Sequence, residues 1–148
     1  MPNFMKIRLP LAILALAVAP LAAPLLAAGH PMASLLIRSF FSRLCHQDPA
    51  RSFVLEGAPV AVCVRCLGVY CGAAVATLLR LRKTRATHLL VLALALLLNL
   101  LDVAAGWMHW HGNLPLPRFF LGLLLGTGAG ALILLPQGRF TGRHSIDA

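Results

Sequence analysis

The chain has 148 residues, 59% of them hydrophobic and only 11% charged, with a mean hydropathy of +0.84. That length suggests one domain, but the composition is too apolar for a soluble one, and its long apolar runs indicate a membrane protein. The net charge of +9 comes mostly from short basic clusters beside apolar runs. Such clusters set topology and meet anionic lipid, and without an aromatic-interleaved basic patch nucleic acid is not an expected partner.

Lys6 and Arg8 precede the apolar run LPLAILALAVAPLAAPLLAA, residues 9–28. A secretory signal has a similar start, and the Leu26-Ala27-Ala28 end would suit cleavage, but the run exceeds the roughly 7–15-residue apolar core of a signal. An uncleaved first membrane helix is the favoured expectation, kinked near Pro20 and Pro24, with neighbouring helices satisfying the freed backbone groups.

Residues 29–58 form the longest polar segment, expected as an outer loop. Within it, MASLLIRSFFSRLCHQ predicts a short amphipathic helix on the membrane surface or over the bundle end. Leu35, Leu36, Phe40, Phe41 and Leu44 would share one face, with Arg38 and Arg43 elsewhere. Asp48-Pro49 predicts a turn and Gly57-Ala58-Pro59 a second break, with Pro59 suited to the first position of a helix. Further spans are expected at 59–81, 88–107 and 117–135, each long enough to cross a bilayer at about 1.5 Å per residue. A turn carrying Trp107, His109, Trp110 and His111 follows the third span, with tryptophans of the interfacial kind. The expected fold is an all-α integral membrane bundle of about four transmembrane helices, residues 1–136, followed by a cytoplasmic tail, 137–148.

Basic residues orient the bundle. With the N-terminus cytoplasmic, eight of the 13 Lys and Arg fall inside and four outside, with Arg65 in the second span. The expectation is a cytoplasmic (inner) membrane protein with both termini inside. Cys45, His46, Cys63, Cys66, His109 and His111 then gather at the outer face. Arg65 and Asp102 would both lie roughly 8–9 Å below the outer rim at ~1.5 Å per residue. Charges within a span need a partner or a cavity, so the two are expected to pair.

At about 100° per residue, Cys63, Cys66 and Tyr70 share one face of the second span, and Arg65, Gly68 and Gly72 another. Gly68-x-x-x-Gly72 and the series Gly122, Gly126, Gly130 are small-residue surfaces suited to close helix packing. Asn99, Asp102, Gly106 and His109 align on the third span. For Asn99, an interhelical hydrogen bond and a functional role are both open.

The pattern Cys45-His46-Gln47-x-Pro49-x-Arg51-Ser52-Phe53, then Cys63-x-Arg65-Cys66-x-Gly68-x-Tyr70-x-Gly72, resembles a prokaryotic membrane protein family known as domain of unknown function 2085. Asn99, Asp102, Gly106 and the series Asn113, Arg118, Gly122 are similar to its second half, so the resemblance covers about residues 35–126. It implies a multi-pass membrane protein with a Cys-His and Cys-x-x-Cys centre, and implies no activity. Cys71, His109 and His111 are not positions of that pattern.

Two chemistries suit the centre. Cys45, His46, Cys63 and Cys66, with His109 as a further candidate, offer an N/S ligand set in which zinc fits best and copper(I) or iron are alternatives. Thiol–disulfide exchange by Cys63 and Cys66 with Cys45 is the other, since the layout looks like that of quinone-linked disulfide-generating membrane proteins and Arg65 would favour the thiolate. Such an enzyme usually relays electrons through a second cysteine pair, which is lacking here, so metal binding ranks first. Structural or inert thiols are the third reading. Arg65, Asp102, Asn99, Gln47, Arg51 and Tyr70 are the expected supporting residues. Expected partners are membrane lipids, with another membrane protein or a second copy of the chain also open.

Overall fold

A computed structural model of the chain describes residues 3–79, 84–108 and 114–134. It contains five α-helices: α1 (Asn3–Leu26), α2 (Pro31–Ser42), α3 (Val64–Leu78), α4 (Arg85–Trp107) and α5 (Pro115–Leu134). Between α2 and α3 lie one 3₁₀ turn, Pro49–Arg51, and an antiparallel hairpin of β1 (Val54–Leu55) and β2 (Ala58–Pro59). The hairpin turn places Glu56 and Gly57 at φ 51° and 76°, the left-handed pair that matches the twist of the flanking strands.

Arg8–Leu26, Arg85–Trp107 and Pro115–Ile133 are long and apolar enough to cross a membrane. The second expected span is corrected. Its helix begins at Val64 rather than Pro59, and its 15 residues extend about 22 Å against a hydrocarbon core of about 30 Å. Its expected end at Leu81 lies outside the described residues. Tertiary hydrogen bonds hold the preceding stretch out of the helix. Val60 N–H donates to the Phe53 carbonyl, Ala61 N–H to the Pro20 carbonyl, and Arg38 to the Pro59 carbonyl. Val60, Ala61 and Val62 are buried, so this strand of loop runs through the core beneath α2.

Helix α1 continues through Pro10, Pro20 and Pro24. A proline cannot donate to the carbonyl four residues earlier. Pro24 thereby frees the Pro20 carbonyl, which accepts from Ala61 N–H at 3.3 Å. The Ala23 carbonyl accepts from the Ser34 hydroxyl at 2.7 Å. Neighbouring segments thus repair the end of the helix.

The tightest packing joins α3 to α5. A Cβ on Gly68 would run into the Phe119 carbonyl, on Gly72 into that of Leu123, on Gly122 into that of Arg65, and on Gly126 into that of Val69. These pairings advance together along both chains, so α3 and α5 are parallel. Helix α4 runs the other way, with Leu92 beside Gly128 and Asn99 bonded to the Leu121 carbonyl. The start of α3, the start of α5 and the ends of α1 and α4 therefore share one end of the bundle.

At that end lies the core cluster of Phe41, Cys45, Val60, Val62 and Leu67. The face expected on α2 is split. Phe41 is 1% exposed, whereas Leu35, Leu36, Phe40 and Leu44 are exposed. Helix α2 turns Ser34 and Phe41 inward, and its Arg38 reaches down to Pro59 because the buried loop lies directly beneath it.

Candidate functional site

Cys45 follows α2 without continuing it, its N–H still bonded to the Phe41 carbonyl at 2.9 Å. Two residues on, Gln47 adopts a left-handed φ of 52°. Its side-chain amide spans the Arg38 carbonyl at 2.7 Å and the Ala61 carbonyl at 2.8 Å. One side chain thus fastens the end of α2 to the strand leading into α3. The Asp48 carboxylate closes the next turn by accepting from Ala50 N–H at 3.0 Å, and it pairs with Arg51 at 3.3 Å.

These ties deliver Cys45 to the start of α3. Cys63 caps that helix from an extended conformation, and Cys66 lies in its first turn. The Cys63 N–H donates to Cys45 Sγ at 3.2 Å. The thiols of Cys66 and Cys63 also hydrogen-bond to Cys45, as does a backbone N–H at Gln47. Burial pushes the Cys45 thiol up, but these donors together outweigh it and bring Cys45 below the ordinary thiol value. Cys45 is thus the sulfur on which the other two thiols converge.

Beside the thiols, Asp102 accepts from two arginines. Arg65, in the first turn of α3, donates to Oδ2, and so does Arg118, from the first turn of α5, at 3.2 Å. The expected pairing of Arg65 with Asp102 joins α3 to α4, and Arg118 adds α5. Arg65 lies at the helix end rather than a turn and a half inside it, since the helix begins later than expected. Asn99, a turn deeper on α4, donates to the Ala95 carbonyl at 2.8 Å and across to the Leu121 carbonyl at 3.3 Å. Its interhelical bonding role is therefore real.

A cavity of about 280 Å³ opens over these groups, its wall including Cys45, His46, Arg51, Cys63, Arg65, Cys66, Gly106, Trp107 and Arg118. His46 is exposed on that wall. Tyr70 lies deeper on α3 and packs its ring 5.9 Å from that of Phe41. Cys71 packs against the core cluster. His109 and His111 lie outside the described residues. Among the described residues, no group of three or more His, Cys, Asp or Glu side chains is arranged around a position that could hold a metal ion. The three cysteines contact one another, but the expected set of Cys45, His46, Cys63 and Cys66 is not preassembled as a coordination shell.

Arg118 and Trp107 are the site residues that the sequence reading left out. Arg118 had only a weaker signal: it is a cation at the very start of an apolar span, whereas the expected place of Arg65 is well inside one. Its distance of 16 residues from Asp102 hid the pairing until the antiparallel register of α4 and α5 was known.

Apolar helices closed by an end cluster of thiols and an arginine–carboxylate triad define the class: a small multi-pass membrane protein. The chain belongs to the family described as "Predicted membrane protein (DUF2085)", whose model matches residues 45–132. The match begins at Cys45 and reaches further into α5 than the resemblance noted above. An uncharacterised protein of Methanothermobacter thermautotrophicus is 34% identical over 96 residues, covering 62% of this chain and 86% of that protein. An uncharacterised protein of Methanocaldococcus jannaschii is 46% identical over 39 residues, covering 26% of this chain and 25% of that protein. The chain thus matches only about a quarter of the latter's length. No solved structure matches.

Proposed function

We propose that this membrane protein binds a thiophilic metal ion, zinc foremost, at the site formed by Cys45, Cys63 and Cys66, with His46 as fourth ligand. The observation that carries the reading is that Cys45 Sγ accepts the Cys63 N–H while both thiols of the Cys-x-x-Cys pair turn toward it. Three converging cysteine sulfurs are the apo form of a three-sulfur site, and metal entry displaces the thiol protons. Zinc–sulfur bonds of about 2.3 Å hold sulfurs roughly 3.8 Å apart in a tetrahedron, so neighbouring thiols need only a small separation to admit the ion. The adjacent Arg65 guanidinium favours the added negative charge. In this reading α3 crosses a cytoplasmic membrane as the second of four spans, both termini are inside, and the site opens on the outer face.

Metal analysis of the full chain purified in detergent, beside a free-thiol count under non-reducing conditions, tests it. The expected result is one zinc per chain, with Cys45, Cys63 and Cys66 protected from alkylation until a chelator is added. Metal-free protein with a disulfide that re-forms on addition of quinone would overturn it in favour of thiol–disulfide exchange.

A further inference from the structure

We propose that the cavity over the thiols is a receptor for one anionic group, a phosphate or carboxylate, held by Arg51, Arg65 and Arg118. Three guanidiniums line a space of about 280 Å³ at one end of the bundle. Two carboxylates answer them: Asp102 is shared by Arg65 and Arg118, and Asp48 pairs with Arg51. The wall therefore carries one formal positive charge in excess, counting His46 and the cysteines as neutral. The chain has only four acidic residues. Of the other two, Glu56 sits on the exposed hairpin turn and Asp147 lies outside the described residues.

A second observation points the same way. Arg65 Nε is buried and has no hydrogen-bond partner among the described residues. A buried donor on a charged group is costly to leave unsatisfied. Asp102 engages the terminal Nη2 of Arg65, and Nε is left without an acceptor among the described residues. Guanidinium forks match phosphate and carboxylate oxygens two at a time, so this geometry selects an oxyanion over a halide. The Cys45 sulfur does not take that role, because its donors are the backbone N–H groups of Cys63 and Gln47 and the thiols of Cys63 and Cys66. Trp107 stands on the same wall and is 82% exposed, an apolar surface for whatever carries the anion. That carrier is either a free solute or a lipid headgroup, since the bundle end where the cavity opens is also where headgroups lie.

The inference shares its cavity with the metal reading but stands on the arginines. The test therefore uses chelator-treated full chain in a non-ionic sugar detergent. Calorimetric titrations are run with inorganic phosphate and, separately, with short-chain phosphatidylglycerol. One saturable site per chain is expected, weakened at least tenfold by Arg51→Gln and by Arg65→Gln. Arg51 is the safer variant, because its pair with Asp48 is largely exposed and the bundle does not hang on it. Arg43→Gln, an exposed arginine outside the cavity, should leave affinity unchanged. Binding of phosphate identifies a solute site, and binding of phosphatidylglycerol alone identifies a headgroup site. No saturable binding of either probe overturns the proposal. So does an Arg43→Gln loss equal to that of Arg51→Gln, which would mean diffuse surface charge.

Discussion

A single carboxylate, Asp102, holds three helices together by accepting from arginines on two of them. Removing its charge leaves two guanidiniums facing each other in a part-buried site. Arg65 keeps 31% of its side chain exposed and Asp102 only 12%. Asp102→Asn should therefore cost about 2–3 kcal/mol, below the ~3–5 of a wholly buried broken pair. Adding Arg65→Gln should recover part of that loss but not all, because Arg118 remains without its carboxylate. Thermal unfolding in detergent of the two single variants and the double variant measures this. A double variant whose loss equals the sum of the singles would show that the residues do not interact.

Among the elements, the contact of α3 with α5 depends most on residue size. Its glycines let backbone meet backbone, and an added Cβ would strike a carbonyl rather than a side chain that could swing away. Overpacking commonly costs about 1–3 kcal/mol, and the upper end is expected for Gly126→Ala because main chain cannot easily yield. Gly29→Ala, with nothing within 4 Å of the new carbon, is the neutral control. The same melting assay should separate the two. Equal stability would mean that α3 and α5 do not pack this closely. Arg65 and Arg118 enter the site from these two helices, so a variant that spreads them should weaken the hold on Asp102 as well.

For the whole molecule, parallel α3 and α5 with antiparallel α4 bring the thiols, the triad and the loop between α2 and α3 to one end. The N-terminal ends of α1 and α4 lie at the other, where Arg8 and Arg85 are placed. Basic residues collect on the cytoplasmic side. A reporter inserted at the Glu56–Gly57 turn should therefore read as external, and one fused after Ala148 as internal. Two reporters on the same side would show that α3 does not cross, since its 15 residues would then end within the membrane. Exposed leucines along α4, including Leu90, Leu97 and Leu101, are what a lipid-facing helix at the edge of such a bundle presents.

Much of this was already determined by sequence alone. Apolar runs too long for a soluble core define the membrane class and the positions of α1, α4 and α5, because hydrocarbon tolerates little but continuous helix. The residues Cys45–Gly72 mark the site because nearly all its chemistry lies there, and the cost of a lone charge in lipid links Arg65 with Asp102. Other features depended on contacts between distant segments. Pro59 suits a helix start by local preference, yet residues 58–62 stay out of the helix because Phe53, Pro20, Arg38 and Gln47 take up their backbone groups. The inward face of α2 depended on the loop packed beneath it, so periodicity named its apolar residues without saying which would be buried. Arg118 joined Asp102 only through the register of α4 against α5, set by glycine contacts that a single sequence does not pair. Local propensity and hydropathy act over a few turns of chain, whereas the site is closed by segments 16 to 37 residues apart, and only folding brings those together.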